Sequence, residues 1–97
     1  AAFRRAIAAN PEYADAHQNL AALLLSKGRV KEALPHFQRA VDLNPESALS
    51  HNNFGGALAS AGRFTEALAH IRRALEIDPA YAPALDNLRR LQQMGIR

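Results

Sequence analysis

The sequence predicts an all-α fold, a solenoid of antiparallel helix pairs, on three observations. Pro11, Pro45 and Pro79 are evenly spaced, and Asn19, Asn53 and Asn87 repeat at the same interval. A fixed period of about 34 residues marks one supersecondary unit stacked on copies of itself. Residues 14–47 laid over 48–81 without a gap agree at 14 of 34 positions, scarce residue types among them: His17/His51, Gly28/Gly62 and Pro45/Pro79. The third observation is composition. Alanine supplies 21 residues and leucine 13, while Val, Ile and Thr together supply 7, a balance that favours helix over strand.

The elements follow in order. Phe3, Ala6 and Pro11 stand one full period before Phe37, Ala40 and Pro45. Ala1–Asn10 therefore reads as the back half of a preceding unit's second helix, and not as an Ala- and Arg-rich transit peptide. Residues 14–27 carry Ala16, Leu20, Leu23 and Leu24 at near-helical spacing and stop at Gly28. A second helix over 31–44 presents Ala33, Leu34, Phe37, Ala40 and Val41 and ends before Pro45. Pro35 is discordant there, and is expected to loosen or bend the first turn. The next unit repeats the pattern over 48–61, Gly62, 65–78 and Pro79, with Ser47 placed to cap the helix beginning at Ala48. A last helix spans 82–94, with Pro83 in its first turn, where a missing N–H costs little.

In period and in their helix–turn–helix pattern, these units resemble the tetratricopeptide repeat family. Leu20-Ala21 and Phe54-Gly55 match the large-small pair of its first helix. Gly28, Ala33, Phe37, Ala40 and Pro45, with their partners Gly62, Ala67, Ile71, Ala74 and Pro79, match the remainder of the signature. The resemblance covers nearly the whole chain. It implies a single repeat domain over 1–97: a half unit at 1–13, units at 14–47 and 48–81, and a C-terminal helix at 82–97. The aromatic residue common at the phase of His17 and His51 is missing, which is expected to weaken packing there. Arg89 stands at the phase of Ala21 and Gly55, where close helix contact needs a small residue. Residues 82–94 accordingly read as a polar capping helix, with Arg97 at or near the natural end.

In this family the first helices of successive units line a concave groove. Carried onto this sequence, the groove would hold Asp15, Gln18, Asn19, Ala22, Leu25 and Ser26, then Leu49, Asn52, Asn53, Gly56, Ala59 and Ser60, then Asp86, Asn87, Arg90 and Gln93. A carboxamide offers both donor and acceptor, so a series of them suits an extended peptide backbone. Asn19, Asn53 and Asn87 look like the asparagine ladder in the repeat region of O-linked N-acetylglucosamine transferases, where it grips peptide backbone. The competing reading makes each Asn a local helix–helix contact. The candidate binding residues are Gln18, Asn19, Asn52, Asn53, Asp86, Asn87 and Arg90. A carboxylate clamp for an acidic C-terminus needs Lys or Arg beside the Asn series. Here Gln18, Ala22, Asn52 and Gly56 are uncharged and only Arg90 could contribute, so no clamp is expected.

Other chemistries find little support. The four histidines form repeat-phased pairs, His17/His51 and His36/His70, and equivalent residues of adjacent units lie too far apart to meet one zinc ion at about 2.1 Å. They read as packing histidines, solvated or half-buried, and no metal or other cofactor is expected. With no cysteine there is neither a disulfide framework nor a thiolate site. No Gly-rich phosphate loop or nucleophile elbow occurs, so the chain reads as a non-enzyme. Net charge is +3, and ten of the twelve cations are Arg. Arg5, Arg39 and Arg73 recur at one phase late in second helices, where the helix dipole suffices to explain them. Nucleic-acid binding would add stacking aromatics, for which only Tyr13 and Tyr81 are candidates. The longest apolar run, Leu20–Leu25, falls far short of the roughly 20 residues that span a bilayer. Neither nucleic acid nor membrane is expected as a partner. The expected function is protein–protein interaction: a scaffold binding an extended peptide or partner protein. Two rivals are self-association through the open N-terminal end and service as the adaptor segment of a larger enzyme such as a glycosyltransferase.

Overall fold

The computed structural model describes residues 14–97, and these fold into five α-helices with no strand among them. They are α1 (Ala14–Ser26), α2 (Val30–Leu43), α3 (Ala48–Ser60), α4 (Phe64–Ile77) and α5 (Ala82–Gln93). The half unit expected at 1–13 lies outside the described residues. None of the described helices is long and apolar enough to cross a membrane.

Each helix packs on the next in the chain, and α3 also touches α5. The turns that fold α1 onto α2 and α3 onto α4 are the same turn used twice. Gly28 and Gly62 both take φ of 76°. Arg29 N donates to Leu24 O and Gly28 N to Leu25 O; Arg63 N and Gly62 N do likewise to Leu58 O and Ala59 O. This is the crossed pair of bonds that closes a helix through a left-handed residue, a conformation glycine adopts without a Cβ penalty. The start of α3 is capped as its sequence implied. Ser47 is extended, and its Oγ accepts from Ser50 N at 3.1 Å.

Helix α2 runs uninterrupted through Pro35. Its ring lies near the N-terminal end of the helix on the exposed side, so only one main-chain donor is lost and the buried stripe of Ala33, Phe37, Ala40 and Val41 holds the helix together.

Two apolar clusters form the core. Leu20, Ala21, Leu24, Phe37, Phe54 and Leu58 centre the first; Leu68, Ile71, Ala74, Ala84 and Leu91 make the second, with Tyr81, Leu88 and Ile96 against it. Helix α3 lies between neighbours on several sides. It buries Ser50, His51, Asn52, Phe54, Gly55, Ala57 and Leu58, which is why its apolar residues do not keep to one stripe. Close approach of α3 and α4 depends on Gly55. A Cβ there would sit 2.7 Å from Ile71 Cγ1 and 3.1 Å from the Ala67 carbonyl. At the corresponding place on α5, Arg89 is exposed and lies 3.4 Å from Asp86.

Candidate functional site: a carboxamide-lined cleft between first helices

Helices α1, α3 and α5 contribute the polar residues singled out in the sequence, and their positions differ. Asn52, Asn53 and Asn87 line one open cleft of about 370 Å³, together with Ala22, Leu25, Ser26, Phe37, Gly56 and Ala57. Asn52 is buried, at 5% exposure. Its Oδ1 accepts from Asn87 Nδ2 at 2.8 Å, a bond that spans α3 to α5 and fixes the Asn87 carboxamide at the cleft edge. Helical geometry explains how this arises: Asn52 and Gly56 are one turn apart and share a face, and the missing side chain of Gly56 leaves Asn87 Nδ2 as its nearest neighbour, 3.8 Å from where a Cβ would stand.

A second cleft, of about 300 Å³, adjoins the first through Gly56 and Asn87. Phe64, Ile71, Leu91 and Met94 make it apolar, and Arg90 stands in its wall. Gln18 is half-buried, and its Oε1 accepts from Ser50 Oγ at 3.1 Å, tying α1 to α3. Asn19 is exposed on α1 and does not line the cleft that Asn53 and Asn87 share. Asp86 is exposed and engaged with Arg89. Of the seven candidates, the structure therefore brings together Asn52, Asn53 and Asn87, with Arg90 next door. Phe37 and Ala57 also reach this cleft; they belong to the core stripe, so their spacing carried no sign of it.

A larger cleft of about 510 Å³ opens between α2 and α3 with the turn that follows it, lined by Lys31, Leu34, Pro35, Gln38, Phe54, Ala61 and Arg63. Its Arg63 is already satisfied, donating from Nε and Nη2 to both oxygens of Glu66 at 2.9 and 2.6 Å. That bond raises the Arg63 pKa and lowers that of Glu66. The Arg stripe is likewise engaged in part: Arg73 Nη2, on α4, donates at 3.1 Å to the carboxylate of Glu46 in the α2–α3 turn.

The histidines form a second polar feature. Within each helix pair the two rings stack, His17 on His36 with centroids 5.4 Å apart and His51 on His70 at 5.3 Å. Their Nδ1 atoms are 3.2 and 3.1 Å apart. His17 and His51 are buried, each at 6% exposure, and Phe54 packs against His70 at 4.6 Å. The loss of packing expected from the missing aromatic is thus not seen: an imidazole pair fills the phase, adding a polar contact to the ring stack. The signal was available as one His-to-His spacing found twice, 17 to 36 and 51 to 70, which couples the two helices of one unit. Among the described residues no group of three or more His, Cys, Asp or Glu is placed to hold a metal.

A model of the tetratricopeptide repeat family matches residues 1–48 and 28–82. The chain belongs to the tetratricopeptide repeat family. No curated protein matches it in sequence. Two solved tetratricopeptide structures share its fold. One is the first such domain of Spaghetti (RPAP3) bound to the HSP90 peptide SRMEEVD, with a TM-score of 0.89 and 23% identity over 95% of this chain and 73% of that one. The other is YrrB, described as a tetratricopeptide protein with an unusual peptide-binding site, with a TM-score of 0.81 and 26% identity over 88% of this chain and 44% of that one.

Proposed function

We propose that this tetratricopeptide chain is a protein-interaction scaffold that holds an extended peptide along its first helices, with Asn53 and Asn87 gripping the peptide backbone and Asn52 holding Asn87 in place. The observation that carries the reading is the convergence of three carboxamides on one open cleft floored by Gly56. Asn87 is pre-set by its bond to Asn52 and retains an acceptor oxygen and a second N–H hydrogen for a ligand. Arg90 adds a cation at the wall of the adjoining apolar cleft. The peptide carried by the Spaghetti domain and the peptide site of YrrB support a peptide ligand here. The uncharged residues Gln18, Ala22, Asn52 and Gly56 favour a backbone grip over recognition of an acidic tail. The units at 14–47 and 48–81, with the helix of 82–97 after them, form the platform.

Carboxamide–backbone bonds carry no net charge, so binding should respond weakly to salt and to side-chain sequence. Asn53→Ala should cost on the order of 1 kcal/mol in affinity. It should leave the melting temperature nearly unchanged, since Asn53 faces the open cleft. Paired melting curves and peptide-library titrations on wild type and variant check this. A large fall in melting temperature would assign Asn53 to helix packing. Tight binding confined to acid-tailed peptides such as SRMEEVD, abolished by salt, would replace the backbone grip with a charge clamp at Arg90.

A further inference from the structure

Two imidazole rings in each unit face one another through their Nδ1 atoms. His51 Nε2 lies 2.8 Å from the Pro45 carbonyl oxygen, which can only accept, so that nitrogen carries its hydrogen. His51 Nδ1 is then a bare lone pair in the neutral ring, and His70 Nδ1, 3.1 Å away, must donate to it. A first added proton is tolerated, because His70 can take it at Nε2 and keep the Nδ1–H donor in place. A second has nowhere to go. It would have to sit on His51 Nδ1, setting two N–H donors and two positive charges face to face.

We propose that the histidine pair of each helix pair is a proton-sensitive latch between its two helices, closed while the pair holds no more than one added proton and opened by mild acid. The contact recurs between α1 and α2, where His17 and His36 Nδ1 atoms are 3.2 Å apart. Around the His51–His70 pair the neighbouring charges are already engaged. From α4, Glu66 acts on His70 but is shared with Arg63; Arg73 is held by Glu46 and Glu76. From α2, His36 is engaged with His17, and from α5, Asp86 with Arg89. Burial first, and His51 second, hold His70 below the ordinary histidine value of 6.5, against an opposing pull from Glu66.

The sign follows from counting protons. Well below the ordinary histidine pKa the unfolded chain binds two protons per pair and the folded chain at most one. Stability therefore falls as pH falls. Each excess proton multiplies the unfolding constant about tenfold per pH unit.

The test is urea unfolding of the whole chain between about pH 7.5 and 5, spanning the range in which histidine changes charge, on wild type and His36→Asn/His70→Asn. An Asn carboxamide near the former Nδ1 can donate to a neutral imidazole or accept from a protonated one. The double variant should therefore lose most of the acid sensitivity even if its neutral-pH stability drops. Equal pH slopes in both proteins, or a flat wild type, would overturn the latch. Should the variant not fold, ring titration of the wild type by NMR decides: one proton per pair while the amide spectrum stays native supports the latch. Two protons per pair with that spectrum intact refutes it.

Discussion

At Gly55 and Gly56 two adjacent glycines on α3 meet opposite surroundings. A Cβ on Gly55 would press into Ile71, which is fully buried, and onto the Ala67 backbone. Neither can swing away, because Ile71 is branched at Cβ and enclosed. Overpacking of this kind costs about 1–3 kcal/mol. A Cβ on Gly56 would meet only Asn87 Nδ2 at 3.8 Å, ordinary contact, while helix propensity improves by roughly 0.5–1 kcal/mol. Thermal melts should thus show Gly55→Ala lowering stability and Gly56→Ala raising it. Stabilisation by both changes would mean that the α3–α4 approach is looser than the structure has it. The first unit solves the same contact with Ala21, fully buried in the cluster that holds Phe37. The need for a small residue at this phase was legible in the sequence; the tight fit at Gly55 was not, since it depends on how Ile71 and Ala67 come to lie.

The helices themselves end where local chemistry says they should. Gly28 and Gly62 stop α1 and α3 by the same crossed bonds, and Ser47 starts α3 with a side-chain bond. Replacing Ser47 with Ala should cost about 1 kcal/mol, the usual worth of such a cap. Helicity of an unpacked α3 peptide should fall with it, and a change below a few tenths of a kcal/mol would show that tertiary packing alone places the start of α3. No equivalent side-chain cap forms at Arg29, Arg63 or Tyr81. Pro35 sits within α2 without ending it, and the buried face of that helix supplies offsetting contact.

Across the whole molecule the helices are unequally secured. Helix α3 buries residues against α2, α4 and α5, whereas α5 buries only Ala84 and Leu91. In a stacked array each element is stabilised by its nearest neighbours. Native-state hydrogen exchange should accordingly find α5 amides opening while those of α3 remain protected. Equal protection along the two helices would show that the described helices unfold as one cooperative unit. An exposed Arg89, paired with Asp86, suits an outer surface at α5.

Helix positions, the turn glycines, the cap and the family were determined by the sequence alone, because each rests on short-range geometry repeated from one unit to the next. The cleft was legible only in outline. Repeat phase picked out Asn19, Asn53 and Asn87 as equivalents, yet the bond that forms joins Asn87 to Asn52, and Asn19 stands apart. The histidines behave alike: phase paired His17 with His51, while the rings that touch are His17 with His36 and His51 with His70. Period reports which residues occupy the same place in successive units. Contact is set by the crossing of unlike helices, and a side chain meets whatever that crossing brings within about 3 Å, which only the tertiary structure decides.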